Sequence, residues 1–171
     1  MRTALRLAPI VALVTLLQVS LVPSWRIAGI HPDLYLCLPV AAGMLAGIEA
    51  GALVGFAAGF AVDLFMPTPF GLTALVCTAI GAAVGALVDG ERLGVDPTVP
   101  TLASGFVAVA SVVGELLFAL VSAAIGTTPL SAVNWLALLL VVPACNALAM
   151  LAIHPAMRWA MAVRRTSDAP W

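Results

Sequence analysis

Charge is what this sequence has least of. Only 9% of its 171 residues are Asp, Glu, Lys or Arg, while 63% are hydrophobic. A water-soluble domain carries about 25% charged residues, so this chain could not cover its surface in water. The formal net charge of −1 also leaves no basic face for nucleic acid or for a polybasic lipid-binding surface. Cysteine is sparse: Cys37, Cys77 and Cys145 each lie inside an apolar run. An odd set without ligand spacing makes neither a disulfide framework nor a zinc site, and the three read as small buried hydrophobes. Also absent are a Ser/His/Asp constellation, an H-E-x-x-H pair and a phosphate-cradling loop followed by lysine. The expectation is a protein that is not an enzyme and holds no metal or cofactor.

What is abundant is apolar sequence, with a mean hydropathy of +1.16. Backbone groups cannot go unsatisfied in hydrocarbon, so spans must be helices or barrel strands, and the long apolar runs favour helices. The chain reads as one all-α, polytopic membrane bundle of six transmembrane helices over 7–22, 34–48, 50–66, 71–88, 101–125 and 132–153, with a tail over 154–171. Arg2, Arg6 and the following run resemble the start of a signal peptide. Val22 to Trp25 make a poor cleavage site, so this segment is taken as a retained span.

The stretch from Leu34 to Met66 is apolar except for Glu49 and Asp63. As one straight helix it would reach about 50 Å, well beyond a hydrocarbon core of about 30 Å. A tight reversal is therefore expected at Glu49, between Gly47 and Gly51. The two short halves could also form a re-entrant pair. Pro143 is expected to kink the last span. Arg2, Arg6, Arg92, Arg158, Arg164 and Arg165 fall on one side of this topology and Arg26 alone on the other, which places both termini in the cytoplasm.

Within this frame Gly43, Gly47, Gly51, Gly55 and Gly59 recur every four residues, and the next step lands on Asp63. Such a stripe lets helix backbones approach closely, as helix-packing surface or as partner interface. Gly81, Gly85 and Asp89 repeat the spacing of Gly55, Gly59 and Asp63 at an offset of 26 residues (89 − 63), a pattern that competes with chance in a chain so rich in Gly and Ala. Asp63 and Glu115 are expected to be buried acids. An intramembrane carboxylate costs about 2.5 to 3.5 kcal/mol on insertion scales and is by default functional or hydrogen-bonded between helices. The nearest basic candidate for Asp63 is Arg26, and His31 reads as a loop histidine. Gln18 either bonds a neighbouring helix or is a tolerated polar residue near a span end.

Pro32-Asp33, then Gly55-x-x-x-Gly59-x-x-x-Asp63-Leu64, and after six residues Gly71 followed by Ala74-Leu75, together resemble MreD, the rod-shape-determining membrane protein family of bacterial cell-wall elongation. The motif covers about Pro32 to Leu75; length, spans and termini extend the likeness to the whole chain. The resemblance implies a non-enzymatic scaffold in the bacterial plasma membrane. Its expected partners are an MreC-like bitopic protein and, directly or indirectly, a RodA-like glycosyltransferase, a class B penicillin-binding transpeptidase and MreB. The family is also similar in architecture to substrate-binding subunits of energy-coupling-factor transporters, which gives the alternative reading. Ala4, Ala8 and Ala12 resemble the docking pattern of those subunits, but the spans hold few aromatic or polar residues to grip such a ligand.

Overall fold

The computed structural model describes residues 2–20, 31–66, 69–89, 94–126 and 135–162. All regular structure among them is helical: α1 (Arg2–Ser20), α2 (Cys37–Asp63, led in by a 3-10 turn over Leu34–Leu36), α3 (Leu72–Asp89), α4 (Pro100–Ala124) and α5 (Trp135–Met161). Five helical segments are long and apolar enough to cross a bilayer, the longest running from Leu34 to Asp63. Large apolar side chains such as Leu5, Leu53, Phe56, Val109, Leu136 and Leu148 stand exposed around the bundle. A surface of this kind is stable in lipid and a liability in water.

The longest segment is not straight. Ala46 (φ −145°, ψ 17°) and Gly47 (φ 80°, ψ −168°) leave helical geometry, and the chain folds back there. A Cβ placed on Gly51 would lie 2.9 Å from the Cα of Gly43, whereas eight residues along an unbroken helix span about 12 Å. The reversal thus falls two to three residues before the expected Glu49. Only glycine adopts the positive φ at this corner without strain. The result is a hairpin of two arms, 34–45 and 48–63, of about 18 and 24 Å, both shorter than the hydrocarbon core.

The first arm is the centre of the molecule. Every residue from Tyr35 to Leu45 is buried, so no side of it faces lipid or water. Gln18 of α1 clamps its start: the side-chain amide donates to the Pro32 carbonyl (3.0 Å) and accepts from the Leu34 N–H (2.9 Å). That bond satisfies one of the backbone donors a helix start leaves open. The Cys37 thiol donates to the Asn146 carbonyl of α5 (3.5 Å), and Leu36 packs against Gly114 of α4. Cys37 and Cys77 are buried and Cys145 half-buried, all as free thiols.

Glycine sets how close the second arm and α3 come. A Cβ on Gly55 would sit 2.7 Å from the Cys77 carbonyl carbon, one on Gly59 2.5 Å from the Ala74 Cα, and one on Gly85 2.5 Å from the Ile48 nitrogen. At Gly81 three backbones meet, because a Cβ there would lie 2.5 Å from the Gly51 carbonyl carbon, and one on Gly43 of the first arm would lie 2.6 Å from the Gly81 carbonyl oxygen. These contacts are backbone against backbone, and no rotamer change could relieve an added side chain. α5 runs on through Pro143 and Pro155 to Met161, so His154, Arg158 and Trp159, which the sequence places in the tail, are on its last turns. The expected tail beyond 162, with Arg164 and Arg165, and the loops holding Arg26 and Arg92 lie outside the described residues.

Candidate functional site

The repeated Gly-x-x-x-Gly-x-x-x-Asp pattern has one geometric meaning at both ends of the pair formed by α3 and the second arm of α2. The two helices run antiparallel, so the aspartate ending each lies beside the start of the other. Asp63 turns its carboxylate onto the first turn of α3 and accepts from the N–H groups of Gly71 (3.1 Å), Thr73 (3.3 Å) and Ala74 (3.0 Å). Asp89 accepts from the Ile48 N–H, the first of the second arm (3.1 Å). Each carboxylate satisfies open donors at a helix start and opposes the positive end of its dipole.

Of the residues from Pro32 to Leu75 singled out in the sequence, Gly71 and Ala74 meet the Asp63 carboxylate. Gly71 has φ 90°, which turns its N–H toward the carboxylate, and Ala74 closes the same helical turn. Asp63 is buried, and its partners are backbone groups; the expected pairing with Arg26 lies outside the described residues. Leu64 and Leu75 instead point away from the bundle and are more than half exposed. Gly43, Gly47, Gly51, Gly55, Gly59, Gly81 and Gly85 are all turned inward against α2, α3 or Asp89. The face formed by Gly55, Gly59 and Asp63 is buried within the chain, as helix-packing surface against α3.

The second acid is not with the first. Glu115 is half-buried in α4 and lines a small cavity with Asp33, not with Asp63. Asp33 in turn does not cap the helix it precedes, the role its position suggests; it borders the same space as Glu115 and Tyr35. These three residues line a cavity of about 140 Å³ with Met66, Thr73 and Phe118. Burial pushes the Asp33 carboxyl above its usual range, with Glu115, Tyr35 and the neighbouring His31 acting in the opposite direction.

Along the same seam α4 and α5 carry further polar contacts. Ser111, one turn before Glu115, accepts from the Asn146 amide (2.8 Å), and the Asn146 side-chain oxygen is buried without a partner among the described residues. Near the other end His154 faces the Pro97 carbonyl through Nε2 (3.0 Å), and Arg158 donates to the Thr98 carbonyl (3.2 Å). That Asp33 and Glu115 border one cavity was not visible in the sequence, since 82 residues (115 − 33) separate them. The i, i+4 spacing of Ser111 and Glu115 was a readable hint of a polar face. No group of three or more His, Cys, Asp and Glu could hold a metal among the described residues. Comparison with protein-family models, curated proteins and solved structures finds no match.

Proposed function

We propose that the protein is a non-enzymatic membrane scaffold of the MreD kind. In this reading it spans a bacterial plasma membrane six times with both termini in the cytoplasm and holds the transmembrane helix of an MreC-like bitopic partner. The observation that supports it is an open groove of about 780 Å³ between α1 and the second arm of α2. Ala4, Ala8 and Ala12 form one wall and Ala50, Ala57 and Ala61 the other. From Ala50 to Ala61 the groove rises about 17 Å along the second arm, over half of a hydrocarbon core. Small residues on both walls let a third helix approach closely, which is how association is favoured where lipid removes the hydrophobic drive.

The glycine stripe, the first surface one would assign to a partner, is spent within the chain. The partner therefore lies on alanine, and the glycine contacts keep the groove wall rigid behind it. The cell-wall synthases and MreB join the assembly directly or through that partner. Co-purification with a tagged MreC-like protein tests this. Ala8→Leu and Ala57→Leu fill the groove without touching the α2–α3 contacts, so the partner should be lost while thermal stability holds. If both variants retain the partner, the groove is not its surface.

The transporter reading draws less support. The space a substrate subunit would keep open is filled by the first arm of α2. The polar cavity at Asp33 is about 140 Å³, below the roughly 300 to 1,000 Å³ of sites for vitamin-sized ligands.

A further inference from the structure

We propose that the groove between α3 and α4 is a phospholipid site, which takes one acyl chain along its walls and the lipid phosphate at the open first turn of α4. The groove holds about 520 Å³ and is walled by Ile80, Ala83 and Val84 on one side and by Gly105, Phe106 and Val109 on the other. Gly105 sets it apart. At every other glycine within α2, α3 and α4 an added Cβ would meet another segment of the chain, but at Gly105 it would meet nothing within 4 Å. Glycine is a poor helix former, and at those other positions close backbone approach offsets the weakness. No part of the chain takes up the space at Gly105, so the contact there comes from outside.

Length decides what fits. The lining of α4 runs from Thr101 to Val113, a rise of about 18 Å. That is close to one leaflet, half of a hydrocarbon core of about 30 Å. The seam closes one residue further on, where a Cβ on Gly114 would lie 3.5 Å from Leu36 and 3.8 Å from Val76. A partner's transmembrane helix, or that of a second copy, needs a surface that continues across the bilayer, whereas an acyl chain ends at the midplane. Apart from Thr101 the lining is wholly apolar.

The mouth of the groove complements the other end of such a lipid. Thr101 and Leu102 line it, and their N–H groups have no acceptor among the described residues. Val99 supplies no side-chain cap, and Pro100 has no N–H of its own. Open donors at the positive end of a helix favour a phosphate. Arg158 of α5 adds a positive charge behind this turn, where it donates to the Thr98 carbonyl (3.2 Å). The nearby acids are engaged: Asp96 accepts from the Thr98 N–H (2.8 Å) and hydroxyl (2.7 Å), and Asp89 from the Ile48 N–H.

This inference rests on the helices crossing a bilayer and not on the partner reading, whose groove is lined by α1 and α2. Native mass spectrometry of the full-length protein in mild detergent, titrated with dioleoylphosphatidylglycerol, tests it. The wild type should retain one phospholipid per chain, and retention of none overturns the site. Gly105→Leu puts a side chain into open space, so thermal stability without lipid should hold while lipid affinity falls about tenfold or more. Ala83→Leu on the facing wall should do the same, and it decides alone should Gly105→Leu not fold. Ala57→Leu, in the α1–α2 groove, should leave the affinity unchanged. Wild-type affinity in the Gly105 and Ala83 variants, or an equal loss in all three, overturns the site. Dioleoylglycerol, with the same chains and no phosphate, should bind about tenfold more weakly; equal binding overturns the phosphate's part and with it the proposal. A wild-type dimer that Gly105→Leu converts to monomer would make a second copy the occupant and also overturns it.

Discussion

Asp63 and Asp89 end matching stretches of sequence and close opposite ends of one antiparallel helix pair, yet they are held very differently. Asp63 is 4% exposed and both its oxygens accept from the backbone of α3. Asp89 is exposed and accepts one bond, from Ile48 at a corner where the chain has just reversed. The difference lies in what each carboxylate meets. At the Asp63 end a left-handed Gly71 opens a helix start toward it; at the Asp89 end the first arm approaches at Gly47, and the aspartate sits over a corner. One motif thus yields a buried clamp and a surface cap.

The largest test of this comparison removes what the two ends share. Gly81→Leu places a side chain where the backbones of both arms and α3 converge. It should cost more than about 3 kcal/mol, seen as loss of the monodisperse species in size-exclusion chromatography. If Gly81→Leu stays folded, the three-backbone contact is not what holds the pair together, and the aspartates hold it instead.

Asp63→Ala comes next, because it strands three N–H groups in a buried site. A loss of about 2 to 4 kcal/mol is expected from the thermal unfolding curve. Asp63→Asn keeps one acceptor oxygen and should recover part of it. Equal losses for Ala and Asn would mean that the negative charge against the α3 dipole outweighs the hydrogen bonds.

The smallest effect belongs to Asp89→Ala. An exposed cap with one bond should contribute about 1 kcal/mol or less, with hydrogen exchange speeding up at Ile48 and not at Ala74. Matching exchange at both sites would erase the distinction between clamp and cap.

Much of this architecture was legible in the sequence for physical reasons. Hydropathy marks the long helices because backbone in lipid has no alternative to internal hydrogen bonding. The excess length of 34–66 over a bilayer forced a break, and glycine marked its neighbourhood. The position of the break was less legible, since several glycines compete and Glu49 offers a polar decoy; the φ of Gly47 decides it. The acids were harder. Asp63 and Glu115 look alike as isolated carboxylates in apolar runs, but one caps a helix and the other borders a cavity with Asp33, a residue whose position before a helix suggests a cap. Gln18 left both of its readings open until its two bonds to Pro32 and Leu34 appeared.

The sequence alone determined that the chain is helical and apolar, that its long central stretch must turn back, and that glycine would set the distance between backbones. These follow from composition, length and period, which act locally along the chain. Only the tertiary structure decided that the glycine stripe closes on the chain's own α3, that the two aspartates cap each other's helices, and that Asp33 faces Glu115. Those facts depend on which helix lies beside which, and contacts between residues distant in sequence leave no period for a single sequence to display.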